Sequence, residues 1–402
     1  MTVQSIVDPQ DRLHSEMLRI WSRLLESSDL SIDDDFFDKG GDSLLATELM
    51  LELQQFAGGP LPNSLLFESS TVRSLAERLS AKEPPRAKAA VRIGAASDGA
   101  KPLLFFHGDW TSGGFYVEHL ARKLGPDFSL IAVAPHGAGG EPIPASIEAM
   151  AADRLPAILE AQPTGPYRLA GHCVGGIVAL ETARLLMRLD HQVEAVVMID
   201  SPLIVGGTPS RIPQGDSGRP DAAAHDPAID DTPIEPTSPG FDWGMEHYQK
   251  RLAAYSPIPL PVRLCVFASE YDGRDWVRLS GEAELIEIPG GHFDWVTFRI
   301  NDLARNLRSW LSGNALLGLT ERCALTPSGN DQTSPAGSRN PESPQSLGRQ
   351  NEAKARASGF GGKNIPAPPG RATISELLSH GLRWISNYAR RGDRYRYSTK
   401  KL

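Results

Sequence analysis

Cysteine is scarce in this chain, with Cys173, Cys265 and Cys323 the only three in 402 residues. Their odd number and wide separation exclude a disulfide framework and fit no metal-ligand spacing, which leaves at least one available as a reactive thiol. Long apolar runs are also missing. None approaches the ~20 residues of a membrane-spanning helix, so no transmembrane segment is expected. The opening MTVQSIVDPQDRLHSEM has neither the basic start nor the apolar stretch of a secretory signal, and a cytoplasmic location is expected. A Gly-rich phosphate loop, a metal-ligand cluster and a nucleic-acid motif are absent too. With a formal charge of −8, no nucleic-acid partner is expected.

What is present is the balance of a globular protein, 40% hydrophobic and 22% charged, in a chain long enough for two folded units. Charge is divided unevenly along it. Residues 1–82 hold 14 acidic and 7 basic side chains, whereas from Arg349 onward there are 12 basic and 3 acidic. The tail is therefore suited to an anionic partner or to the acidic body of its own chain.

Periodicity separates the parts. Leu13, Met17, Leu18, Ile20, Trp21, Leu24 and Leu25 recur near a helical period. A second helix is expected after Ser43, with Leu44, Leu45, Leu49, Leu53 and Phe56 on one side, and a third from Ser70–Thr71 that buries Val72, Leu75 and Leu79. Residues 8–82 thus read as a small all-α bundle of four-helix type, and the Ala-, Pro- and charge-rich stretch 83–100 as a linker. From 101 to 312 short apolar runs (LLFFHG, SLIAVAP, YRLAGHC, EAVVMID, VRLCVFAS, AELIEIPG) alternate with helical stretches. That alternation predicts a mostly parallel sheet with helices on both faces. A Pro/Asp-rich insertion lies within a lid expected at 203–257, where only GMEHYQKRLAAY reads as helix. Residues 313–370 read as a low-complexity, disordered extension, and 371–402 as a basic tail with one possible amphipathic helix. Trp384, Tyr388, Tyr395 and Tyr397 among its arginines fit either a docking element or a solvated tail.

In FFDKGGDSLLATEL, Ser43 follows Gly40, Gly41 and Asp42 at the expected start of a helix, where the dipole favours an added phosphate. An isolated Asp-Ser pair would usually be a helix cap. This segment, however, resembles the attachment motif of acyl and peptidyl carrier proteins. The resemblance implies 4′-phosphopantetheine on Ser43, attached by a phosphopantetheinyl transferase, with the acidic surroundings suiting basic patches on partner enzymes.

YRLAGHCVGGIVALETA reads as strand, sharp Gly-bounded turn and helix, with Cys173 at the turn where a nucleophile elbow usually has serine. Asp200 ends the strand EAVVMID and His292 follows AELIEIPG, so the acid and the histidine come in hydrolase order, each at the carboxyl end of a strand. His292 is the expected base and Asp200 its orienting acid. The expected oxyanion donors are the N–H of Val174 and one from the turn after the first strand, at Gly108 or preferably Asp109. His172 is a possible second proton carrier, with packing in the elbow as the alternative.

With FFHGD, GHCVGG, VVMIDSP, Trp276 and GGHFDW, residues 101–312 resemble the type I thioesterase domains of nonribosomal peptide and polyketide assembly lines. The resemblance implies a thioesterase of α/β-hydrolase fold that takes an acyl, aminoacyl or peptidyl chain from Ser43 to Cys173. Release would be by hydrolysis, cyclisation or transfer, with upstream adenylation, condensation or ketosynthase enzymes acting in trans. Two alternatives stand beside it: an editing thioesterase for other carriers, and a non-catalytic carrier shuttle.

Overall fold

The computed structural model describes residues 9–314 apart from 82, 84, 95–98, 110–112, 139–140, 206–207, 210 and 212–240. Cys323, most of the expected lid insertion, nearly all of the low-complexity stretch and the basic tail lie outside the described residues.

Four helices form the amino-terminal bundle: α1 (Pro9–Leu24), α2 (Ser43–Ala57), α3 (Ser64–Glu68) and α4 (Val72–Leu79). The ends of α2 and the start of α4 have chemical causes. Asp42 caps α2 by accepting the N–H groups of Leu44 and Leu45, Gly58 ends it in the left-handed region at φ 70, and Thr71 with Ser74 forms a capping box on α4. The bundle closes on Met17, Ile20, Trp21, Leu49, Leu53 and Leu75, with Trp21 edge-on to Phe36 at 5.1 Å between ring centroids. The buried stripe of α2 is Ala46, Leu49, Met50 and Leu53, an i, i+3, i+4, i+7 set. Leu44 and Phe56, expected on that side, are 45% and 51% exposed. Leu44 falls opposite the stripe, and Phe56 lies in the last turn, past the packed layer.

The second part is an α/β-hydrolase sheet of seven strands in the order β1-β3-β2-β4-β5-β8-β9. In chain order its elements are β1 (Ala90–Ile93), β2 (Lys101–Phe106), α5 (Tyr116–Leu124), β3 (Phe128–Val133), α6 (Ile147–Ala161), β4 (Tyr167–His172), α7 (Val174–Arg188) and β5 (Val193–Ile199). A two-stranded ribbon of β6 (Ile204–Val205) and β7 (Thr208–Pro209) follows, then α8 (Phe241–Ala254), β8 (Arg263–Ala268), α9 (Arg274–Val277), β9 (Glu282–Glu287) and α10 (Ile300–Leu311). All sheet pairings are parallel except that of β1 with β3. Two apolar layers flank the sheet. One holds Leu104, Ile131, Leu169, Val196 and Ile177; the other holds Phe105, Leu130, Val197, Phe267 and Trp310.

The expected linker at 83–100 needs correcting, because β1 lies inside it and is an edge strand of the sheet. Val91 and Ile93 are buried while Arg92 is exposed, and the register runs from Ala90 opposite Val133 to Ile93 opposite Leu130. Four residues with only two inward apolar positions give too short an alternation to read as a strand from sequence.

Close approach of α7 to β2 depends on glycine. A Cβ on Gly175 would fall 2.1 Å from the Phe106 carbonyl oxygen, a backbone atom of a central strand that cannot move aside. Gly175→Ala is therefore expected to cost roughly 2–3 kcal/mol of stability. Calorimetry should show a melting temperature lower by about 4–10 °C.

Candidate active site and carrier serine

β4 ends at His172 and α7 starts at Val174, so Cys173 occupies the single residue between strand and helix. Its backbone sits at φ 57 and ψ −134, a conformation costly for a residue with a Cβ. The turn closes because its neighbours are glycines: a Cβ on Gly171 would lie 2.4 Å from the Gly175 carbonyl carbon, and one on Gly176 would lie 2.1 Å from Ser201 Oγ. The N-terminus of α7 thus points its dipole at Cys173, under any anion that forms there.

Asp200 lies one residue beyond β5, 2% exposed and itself at φ 45. Its Oδ1 accepts the backbone N–H groups of Ser269, Glu270 and Tyr271 at 2.8, 2.8 and 3.0 Å. Its Oδ2 lies 2.6 Å from His292 Nδ1. Burial works against the carboxylate, but the histidine and these amides outweigh it and hold its pKa down to about 2. On its other side His292 is hydrogen-bonded to Cys173. Burial lowers its pKa, yet the charge and hydrogen bond of Cys173 together with Asp200 raise it to about 10.

Cys173, Asp200 and His292, separated by up to 119 positions in sequence, thus come together in one line. His172 is packed in the elbow, the alternative reading of it. Burial pulls its pKa down to about 3, so near neutrality it is an uncharged ring whose Nε2–H donates to the His292 carbonyl at 2.9 Å. Its ring packs against that of His292 with centroids 4.6 Å apart. His172 therefore holds the loop that carries His292.

Val174 is the first residue of α7, and Asp109 lies in the turn after β2, the two positions expected to supply oxyanion donors. That turn is pressed against the elbow: a Cβ on Gly108 would fall 2.9 Å from Cys173 Cβ. The Asp109 carboxylate accepts the Gly114 N–H at 3.3 Å, and its carbonyl meets His107 Nδ1 at 3.1 Å. Beside it lies a small cleft lined by Phe106, Val133, Val174, Val178, His136 and Tyr248.

Sequence reasoning missed the turn after β8. Besides its three N–H donors to Asp200, it supplies Glu270, whose Oε2 accepts the His292 N–H at 3.3 Å, and Tyr271, whose ring centroid is 5.2 Å from that of His292. The one signal was a polar SEYDG run at the carboxyl end of an apolar strand.

In the bundle, the α2 cap is Asp42 and not Ser43. Ser43 is the first helical residue, partly exposed, preceded by Gly40 at φ 103 and by Gly41, where a Cβ would fall 2.3 Å from the Phe36 ring. A serine left out of the capping, at a helix start and beside the exposed Leu44, fits covalent attachment of a long arm through a phosphate.

Comparison with known proteins agrees with this architecture. Residues 15–79 match the phosphopantetheine attachment site model, and residues 101–216 match the thioesterase domain model. The chain is thus a carrier domain, whose cofactor is covalent phosphopantetheine, followed by a thioesterase domain of the α/β-hydrolase fold. It is 33% identical over 196 residues to indigoidine synthase of Streptomyces lavendulae, covering 48% of this chain and 15% of that protein. Likewise it is 33% identical over 194 residues to the dimodular nonribosomal peptide synthase of Bacillus subtilis (strain 168), covering 48% and 8%. The chain therefore spans only a small part of the length of the curated relatives it matches. Among solved structures, the four-domain nonribosomal peptide synthetase holo-AB3403 aligns with a TM-score of 0.45 at 22% identity, covering 77% of this chain and 27% of that one. The NocB thioesterase domain aligns with a TM-score of 0.41 at 23% identity, covering 54% and 96%. Among the described residues no helix is long and apolar enough to cross a membrane.

Proposed function

We propose that this chain receives an acyl, aminoacyl or peptidyl group as a thioester on its carrier at Ser43, moves it to Cys173 and releases it, in biosynthesis of nonribosomal peptide or polyketide type. The observation that carries the reading is the hydrogen-bonded line Asp200–His292–Cys173 at a strained strand-to-helix turn. The arm on Ser43 supplies a thiol that presents the chain as a thioester. The protein's own residues do the rest. His292 takes the Cys173 proton; Cys173 sulfur bonds to the acyl carbon while the incoming thioester's C–S bond breaks, and His292 returns the proton to the departing thiolate. His292 then takes a proton from the acceptor as it attacks, and the bond to Cys173 breaks with reprotonation of its sulfur. Asp200 keeps the imidazole oriented and balances its charge, while the N–H groups of Val174 and Asp109 face the developing oxyanion.

Cysteine in place of serine changes the energetics. Exchange of one thioester for another is nearly level, so loading is reversible and the bound chain stays activated. This favours transfer to an amine or a constrained hydroxyl over hydrolysis. A phosphopantetheinyl transferase attaches the arm, and adenylation, condensation or ketosynthase enzymes load it. Single-turnover release from acyl-loaded protein, followed with and without added amines and alcohols, tests the preference: acceleration by an acceptor is expected, and release to water alone would overturn it.

A further inference from the structure

The carrier bundle is seated on the thioesterase, and the seat is α5 with the turn before it. Phe115 is buried among the bundle's own core residues, its ring 5.1 Å from that of Phe67. At Gly113, a Cβ would fall 2.6 Å from Asn63 Cγ. One further contact is made of charge, and it involves Arg122 on α5. Its Nε donates to Glu118 Oε1 at 3.0 Å, its Nη2 to Asp35 Oδ1 at 2.9 Å and its Nη1 to Asp38. The guanidinium also lies 5.7 Å from the centroid of the Phe37 ring.

Glu118 stands one turn back on the same helix with its side chain only 7% exposed, so it aims the fork from the thioesterase side. A planar guanidinium held in this way is pre-organised to take two carboxylates at once. Asp35 and Asp38 belong to the loop that leads into Ser43. Asp42, the cap of the Ser43 helix, acts electrostatically on His119 of α5. The acidic approach to the carrier serine is thereby engaged by the thioesterase itself.

We infer that Arg122 is the thioesterase's hold on its own carrier, and that by occupying Asp35 and Asp38 it keeps that acidic loop from any cationic enzyme surface that must reach Ser43. The inference rests on the proposed reading in which Ser43 bears the arm and Cys173 receives the chain. Attachment, loading and delivery then compete for one face of the bundle. Arg122 is a positioning residue, since it touches neither the chain nor the reacting sulfur.

The test uses the full chain, the variants Arg122→Glu and Asp38→Arg, and their combination. One readout is the rate at which a phosphopantetheinyl transferase modifies the apo protein, followed by intact mass. The other is the ratio of turnover of a carrier-borne thioester to turnover of the same acyl group on N-acetylcysteamine. Arg122→Glu puts like charge against Asp35, Asp38 and Glu118, and is expected to lower that ratio roughly tenfold while speeding attachment. Asp38 is 66% exposed, so Asp38→Arg disturbs no packing, and it should lower the ratio as well. The combined variant should recover part of it. Parent-like ratio and attachment rate in Arg122→Glu would overturn the inference, as would a combined variant no better than either single one. Failure of the parent to turn over any thioester would sink the functional reading instead, and attachment rates would still decide the hold.

Discussion

Replacing Cys173 with alanine is expected to leave the acyl chain stranded on Ser43, with release slowed by roughly 10⁴- to 10⁶-fold. The size follows from the way the site is built. His292 is hydrogen-bonded to Cys173 on one side and to Asp200 on the other, so loss of the thiol removes both the nucleophile and one of the two groups that hold the imidazole in line. Cys173 is 7% exposed, and truncation to alanine removes one sulfur without touching the glycine contacts that shape the turn. The fold should survive. Intact mass over time provides the check: the parent gains and loses the acyl group, while the variant keeps it. Adding His292→Ala should cost little more, because residues that act as one unit are not additive. Equal loss of the acyl group from parent and variant would remove Cys173 from the mechanism.

Ser43→Ala is expected to abolish attachment altogether, with no gain in mass after incubation with coenzyme A and a phosphopantetheinyl transferase. This variant separates chemistry from folding cleanly. The hydrogen bonds that start α2 are donated by the N–H groups of Leu44 and Leu45 to Asp42 Oδ1, both at 2.9 Å, and the substitution leaves them in place. Alanine also favours the helix slightly over serine. The melting temperature should therefore stay at the parent value, and any remaining mass gain would place the arm elsewhere.

Most of the architecture was legible because it is written in local patterns. Six apolar runs ending in polar turns became β2, β3, β4, β5, β8 and β9, and the order of cysteine, aspartate and histidine pointed to strand ends that the parallel sheet aligns. Features that depend on distant partners were not legible. β1 is two inward side chains, Val91 and Ile93, and becomes a strand only because β3 offers an unpaired edge. Leu44 looks apolar and buried in sequence, yet it is exposed because Ala46, Leu49, Met50 and Leu53 define the packed side of α2. The three N–H groups that satisfy Asp200 belong to backbone, which no side-chain motif reports. Arg122 reads as an ordinary basic residue near a helix end until the fold brings Asp35 and Asp38 against it.

The inclusion of β1 in the sheet shortens the leash on the carrier. α4 ends at Leu79 and β1 begins at Ala90, which leaves ten residues, 80–89, as the tether. Fully extended, ten residues span roughly 35 Å. A carrier on so short a cord stays at an effective concentration in the millimolar range around its own thioesterase. On the proposed reading, a free carrier offered from solution would have to approach that concentration to displace it, so the cord alone favours cargo arriving on the same chain.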